Sequence, residues 1–351
     1  MKPALLMQYL RDNGFGEFLT INDTFEPFTP RDFQIAHTKR YVKDVFTGVG
    51  QYKSNGLPWS LSLVDSLTYT NASLYEAMLS AIERPSTITF SPTSGFHHAK
   101  PDQGSGFCTF SGQVIAATKI YRETGNKAAF LDLDGHFGNS IEDSKRFVSD
   151  LREAIPFNIN PQGSHAAYLK DFTKALVKLT KAFLNNEVHY VVWCHGADSH
   201  EWDQLGHQCS TEEWLRCSEI FYAWVAAMES EHQIIVPVTL SLFGGYRDDD
   251  YTSVLSLHAS DLRICLSRLC GVEVDYLTVV NPKSKYTTLK KATTTLSEAI
   301  VEDFWDLQQL TAREICNTVE DVMGIKIKIN PKNKQRVIKH AYKLLIENDY
   351  V

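Results

Sequence analysis

Long apolar runs are missing from this 351-residue sequence, and nothing in it reads as a membrane-spanning helix. The start, "MKPALLMQYLRDNGFGEF", has an apolar stretch broken by Gln8 and Arg11, too short and too polar for a secretory signal. Basic charge is not in excess: 35 Lys and Arg stand against 42 Asp and Glu, a formal net charge of -7, which argues against a whole molecule built as a general nucleic-acid binder. Paired cysteines are missing too. The seven cysteines are scattered, odd in number and without a C-x-x-C pair, the pattern of reduced thiols, so the expected compartment is the cytoplasm. What remains, 43% hydrophobic and 22% charged residues, is the composition of an ordinary globular protein long enough to bury a large core.

Against this background the stretch "LDLDGHFGNS", residues 131–140, places Asp132, Asp134 and His136 at alternate positions on what otherwise reads as a buried strand. Ionised carboxylates in an apolar sheet cost several kcal/mol unless something pairs with them, and a divalent cation is one of the few partners strong enough.

Short apolar runs alternate with longer helical patterns. Strands are predicted at 86–91, 128–136, 187–196, 233–242 and 273–281, and helices over roughly 112–123, 166–184, 211–229 and 251–269. This alternation predicts an α/β fold, a parallel sheet sandwiched between helices, in which ligands bind beyond the carboxyl ends of the strands. The chemistry-bearing residues fall there: "SGFHHAK" after the first strand, "DGHFGN" after the second, "HGADSHEWDQLG" after the third and "FGGYRDDD" after the fourth.

Side chains two apart on a strand share a face, so Asp134 and His136 can point at one ion, with Asp198 from the next strand end as a third ligand. Two carboxylates and one imidazole leave an open coordination position, as catalytic zinc sites do. Taken singly, Asp134 and Asp198 also read as helix caps or turn residues. The pair His97 and His98 reads either as a solvated loop or, beside a metal-bound water, as a proton acceptor and donor. Asp132 and Asn139 stand where they can orient the two imidazoles.

The motifs "GFHHAKPDQGSGFC", "LDLDGHFGNS", "HGADSHEWDQLG" and "FGGY", in this order and preceded by "IAHTKRYVKDV", resemble those of the zinc-dependent histone deacetylase and acetylpolyamine amidohydrolase superfamily over roughly residues 30–269. The resemblance implies an arginase/deacetylase-like fold and a hydrolase that removes an acetyl or other acyl group from an N-acylated amine such as acetyl-lysine. Carried over position by position, Asp134, His136 and Asp198 would bind Zn²⁺. His98 would be the general base and acid, in a place tuned by Asn139, and His97, backed by Asp132, the electrostatic partner. Tyr246 would donate a hydrogen bond to the developing oxyanion, and Phe107, with Gly106 and Gly245, would line the channel for the acyl-amine stem. A structural K⁺, common in relatives, would lie behind Asp132 if the chain keeps it. An acetylpolyamine or other small-molecule amidohydrolase, and a catalytically inactive acyl-amine-binding module of the same fold, remain as alternative readings.

The sequence departs from the superfamily pattern in several places. The usual second histidine of "D-x-H-H-G" is Phe137 here, and the long "S-x-H" loop that builds part of the substrate channel is missing before "IPFNINPQGSHAAY". The stretch 144–154 reads as helical, and one channel wall is expected to be low. The domain expectation is a catalytic unit over 1–281 and a basic, mainly helical extension over 282–351, whose segment "GIKIKINPKNKQRVIKHAYKLL" has seven basic residues and no acidic one. That extension reads either as a helical appendage with solvated lysines or as a surface for an anionic partner such as nucleic acid.

Overall fold

The computed structural model describes residues 2–50, 55–248, 250–274 and 279. Contacts divide the chain into one compact unit, Met1–Arg247 with Thr252–Val280, and a second, Asp248–Tyr251 with Asn281–Val351. Nearly all of the second lies outside the described residues, and with it the expected helical extension.

The first unit opens with four helices, α1 (Lys2–Asp12), α2 (Pro30–Phe33), α3 (Lys39–Thr47) and α4 (Leu61–Glu83). Strand β1 (Thr89–Ser91), α5 (Gly112–Thr124) and β2 (Ala128–Asp132) follow, then the short helices α6 (Ser140–Ser144) and α7 (Leu151–Ala154) and strand β3 (Phe157–Ile159). The order closes with α8 (Ala166–Leu184), β4 (Tyr190–Cys194), α9 (Thr211–His232), β5 (Val238–Ser241) and α10 (Thr252–Cys270). The strands form one sheet in the order β1-β5-β4-β2-β3, every pair parallel. Parallel neighbours need a crossover, and helices supply it.

The central strands β2, β4 and β5 are buried along their whole length, which is why "AAFLD", "YVVWC" and "VTLS" run without a polar-out alternation. Their two faces still serve different layers. Phe130, Tyr190, Val192 and Cys194 join a core with Phe33, Tyr41, Val114 and Ile115 from the N-terminal helices and α5. On the other face Trp193 stacks on Phe221 of α9 at 4.1 Å and meets Phe172 of α8 at 5.7 Å. Local chemistry sets the helix ends: Ser210 and Glu213 form a reciprocal capping box at the start of α9, and Gly48 and Gly125 end α3 and α5 with positive φ.

The four predicted helices match α5, α8, α9 and α10, and four predicted strands contain β1, β2, β4 and β5. Three readings differ. The stretch 144–154 is not one helix but the end of α6, turns over 145–150 and α7; Ser144, Val148, Leu151 and Ala154 are buried at helical spacing, although the backbone between Ser144 and Leu151 leaves the helix. Strand β3 was hidden because it is three residues long and lies between Pro156 and Pro161. Of the predicted strand 273–281, Glu273, Val274 and Val279 are not in a strand and the rest lies outside the described residues.

Candidate active site

Four loops leaving the carboxyl ends of β1, β2, β4 and β5 converge on one place. The loop after β2 carries the central group. Strand β2 ends at Asp132, so Asp134 and His136 do not share a face by strand alternation. A turn brings them together instead: the backbone N–H of His136 donates to Asp134 Oδ1 at 3.0 Å, and that of Gly135 donates to Asp198 Oδ1 at 2.9 Å. The carboxylates recruit backbone N–H groups that a strand would have given to its neighbour.

His136 Nδ1 lies 2.8 Å from Asp198 Oδ2 and 3.2 Å from Asp134 Oδ1. One ligand atom from each of the three residues falls within 4.8 Å of the other two, the one such cluster found among the described residues. Asp198 comes from the turn after β4, and Asp134 is held from the β5 side by the Gly244 N–H at 2.7 Å. Both carboxylates are buried, whereas 37% of the His136 side chain is exposed. Burial and the neighbouring Asp134 push the Asp198 carboxyl well up. Burial opposes the Asp134 charge, but His97 and the His136 hydrogen bond hold its carboxyl well below the usual range. Hydrogen bonds donated to Asp134 and Asp198 raise the His136 imidazole to about 10. Two buried carboxylates converging on one imidazole nitrogen are a donor set that fits a divalent cation, which would neutralise them and release the imidazole proton.

His97 and His98, from the loop after β1, stand beside this cluster with their rings 4.1 Å apart. His97 Nδ1 lies 3.0 Å from Asp132 Oδ2, and its Nε2 lies 3.7 Å from Asp134 Oδ1. Burial works against its charge, but the Asp134 and Asp132 carboxylates outweigh it and bring His97 to about 9. His98 Nδ1 lies 2.8 Å from Asn139 Oδ1; burial and the neighbouring His97 push this imidazole down. Two adjacent histidines are thus driven in opposite directions, one toward the cation and one toward the neutral base.

Tyr246, beyond β5, has its ring 6.5 Å from that of His136 and 6.1 Å from that of Phe107. Burial and the Asp134 carboxylate push its phenol well up, so the hydroxyl stays a donor. Gly245, at φ +137°, sets the backbone before it, and Gly106, at φ +50°, lies so close to His98 that a Cβ there would come within 2.6 Å of the ring. Phe107 and Phe137 are both exposed. The structure therefore brings together all eleven residues singled out in the sequence, with Phe107, Gly106 and Gly245 around the metal-type cluster and the histidine pair.

Four further residues touch this arrangement without having stood out. Lys2, from α1, donates to the Phe243 carbonyl, and its Nζ lies 5.9 Å from the Tyr246 ring centroid. Asp203 accepts from the Tyr246 N–H at 2.5 Å, and Gln204 N donates to the Tyr246 carbonyl at 3.2 Å, which clamps the tyrosine backbone from both sides. Asp143 accepts from Asn139 Nδ2 at 2.6 Å. Asp203 lies inside the quoted motif "HGADSHEWDQLG"; Lys2 reaches the site across 241 positions, and no local pattern marks it.

Residues 2–152 match the family described as the histone deacetylase domain. The chain is 32% identical over 110 residues to histone deacetylase 8 of Xenopus laevis, covering 30% of this chain and 34% of that protein, and 29% identical over 159 residues to the chloroplastic histone deacetylase 14 of Arabidopsis thaliana, covering 40% and 37%. The chain thus spans about a third of the length of these curated relatives. In fold it is similar to the acetylpolyamine aminohydrolase of Burkholderia pseudomallei, with a TM-score of 0.53 at 16% identity over 76% of this chain and 90% of that one. The five-stranded parallel sheet between helices is the arginase/deacetylase fold. The chain is thus similar to histone deacetylases over residues 2–152 and shares its fold with the acetylpolyamine aminohydrolase.

Proposed function

We propose that the protein is a zinc-dependent deacetylase that hydrolyses the amide of an N-acylated amine such as acetyl-lysine. The observation that carries this reading is the convergence of two buried carboxylates and one imidazole beside two histidines of opposite tuning, each with its own oxygen partner. Asp134, His136 and Asp198 would hold the zinc, which when bound polarises the scissile carbonyl and acidifies water. His98, neutral with Nδ1 held by Asn139, has Nε2 available to take a proton from the attacking water and return it to the departing amine. His97, cationic between Asp132 and Asp134, stabilises negative charge as it builds. The Tyr246 hydroxyl donates to the carbonyl oxygen as that charge develops. Phe107, Gly106 and Gly245 border the acyl-amine stem, and the K⁺ of relatives would lie behind Asp132. Among the described residues no helix is long and apolar enough to cross a membrane, and none of their cysteines is paired; the latter supports a reducing, cytoplasmic setting.

The test is a deacylation screen of zinc-loaded protein on acetylated peptides, polyamines, sugars and nucleosides. Tyr246→Phe and His98→Ala should each lower kcat about a hundredfold or more on the best substrate while leaving inhibitor Kd within a few fold, because both act as charge develops. Near-parental turnover in either variant would overturn its assigned role. No turnover by the parent on any acyl-amine would leave the binding-module reading.

A further inference from the structure

The polar contacts of His98 continue one residue past its immediate partner. His98 Nδ1 lies 2.8 Å from Asn139 Oδ1, Asn139 Nδ2 donates to Asp143 Oδ2 at 2.6 Å, and Lys100 Nζ lies 3.8 Å from that same Asp143 oxygen. Asn139 caps α6, and the Asp143 N–H donates to the Asn139 carbonyl at 2.9 Å, so one helical turn holds the two side chains on one face.

An asparagine amide presents an acceptor on one side and a donor on the other, and the two orientations fill the same space. With its oxygen toward His98 it accepts the Nδ1 proton and leaves Nε2 with a lone pair. With its NH₂ toward His98 it would favour the opposite tautomer, with the proton on Nε2, and a base protonated there cannot accept another while neutral. A carboxylate only accepts. Asp143 can therefore bond only to the NH₂ of Asn139, and this turns Oδ1 toward His98.

We propose that Asp143 is a positioning residue for His98: it locks the Asn139 amide in the one orientation that keeps His98 Nε2 free to take a proton. The inference rests on the deacetylase reading only in naming His98 as the base; the lock itself is a property of the three side chains. It carries a consequence that simple support of α6 does not. A carboxylate at position 139 accepts in either orientation and needs no lock, so the requirement for Asp143 exists only while position 139 is an amide.

The experiment compares full-length, zinc-loaded parent, Asp143→Ala, and the double variant Asn139→Asp with Asp143→Ala, on the best acyl-amine of the screen. Asp143 is exposed, so its truncation leaves the core intact. Asp143→Ala should lower kcat about tenfold with KM within about twofold, and the double variant should recover to within about threefold of the parent. In parallel, ¹⁵N NMR of the imidazoles should show the Nδ1–H tautomer at His98 in the parent and a mixture in Asp143→Ala. Parental kcat and an unchanged tautomer in Asp143→Ala, or a double variant as slow as the single one, would overturn the proposal. If the parent hydrolyses no acyl-amine, the deacetylase reading fails, and the tautomer comparison alone decides whether the lock exists.

Discussion

Two missing Cβ atoms leave the room that the metal-type cluster occupies. Gly244 passes so close to Asp198 that a Cβ there would stand 2.1 Å from its Cγ and 2.3–2.4 Å from both carboxylate oxygens, and one at Gly196 would stand 2.5 Å from Asp198 Oδ1. Neither position needs a positive φ, so the demand is purely for space. Gly244→Ala should push Asp198 off its place and lower zinc per chain well below the parent by atomic absorption, with unchanged far-UV circular dichroism; full zinc content would refute this. The residues of the cluster were legible because each is a polar side chain where a parallel sheet ends, in a place where burial without a partner is costly. Lys2, Asp203 and Asp143 were not, because each acts through a contact that only the folded chain creates: a carbonyl across the molecule, a backbone N–H, and an amide that had to be seen from both sides.

At the scale of elements, His37 ties the loop between β1 and α5 to the N-terminal helices. It follows α2 and precedes the Thr38 cap of α3; its Nδ1–H donates to the Lys100 carbonyl at 2.9 Å, and its Nε2 accepts from the Ser111 N–H at 2.9 Å. Both nitrogens are committed to the neutral ring, and burial lowers its pKa to about 4. A histidine that titrates lower folded than unfolded supports the fold fully above pH 6.5 and loses that support as pH falls toward 4, here by about 3 kcal/mol. His37→Phe should destabilise the protein at pH 7 by about 2–4 kcal/mol in urea titrations, since it orphans two buried backbone groups, and the gap to the parent should narrow toward pH 4. A gap that stays constant would refute the assignment. The sequence showed this histidine only within a motif. The long helices α5, α8, α9 and α10 were plain from their periodicity; α4 keeps that period in buried Val64, Leu67, Leu74, Tyr75 and Met78, but Ser and Thr between them obscure it, and β3, three residues between prolines, lacks the length that makes an element visible.

At the scale of the whole molecule, charge is unevenly distributed. Residues 282–351, which lie outside the described residues, hold 12 Lys and Arg against 9 Asp and Glu, a balance of +3 in a chain of net -7, so the remainder carries -10. Within the segment "GIKIKINPKNKQRVIKHAYKLL" the basic residues are interleaved with Val337, Ile338, Tyr342, Leu344 and Leu345, the spacing of an amphipathic helix after Pro331. A chain with one basic segment and an acidic remainder can separate chemistry from delivery: on the proposed reading, the segment would bind an anionic partner while the site would act on the acyl-amine. Neutralising Lys332, Lys334, Arg336 and Lys339 together should then weaken binding to DNA or RNA and flatten its dependence on log salt by up to about four counterions, because each lost phosphate contact removes about one released ion. Hydrolysis of a small acetylated substrate should stay at the parental rate, since none of the four is among the proposed site residues. Equal nucleic-acid affinity of parent and quadruple variant, or no binding by either across low and physiological salt, would make the segment an appendage with solvated lysines.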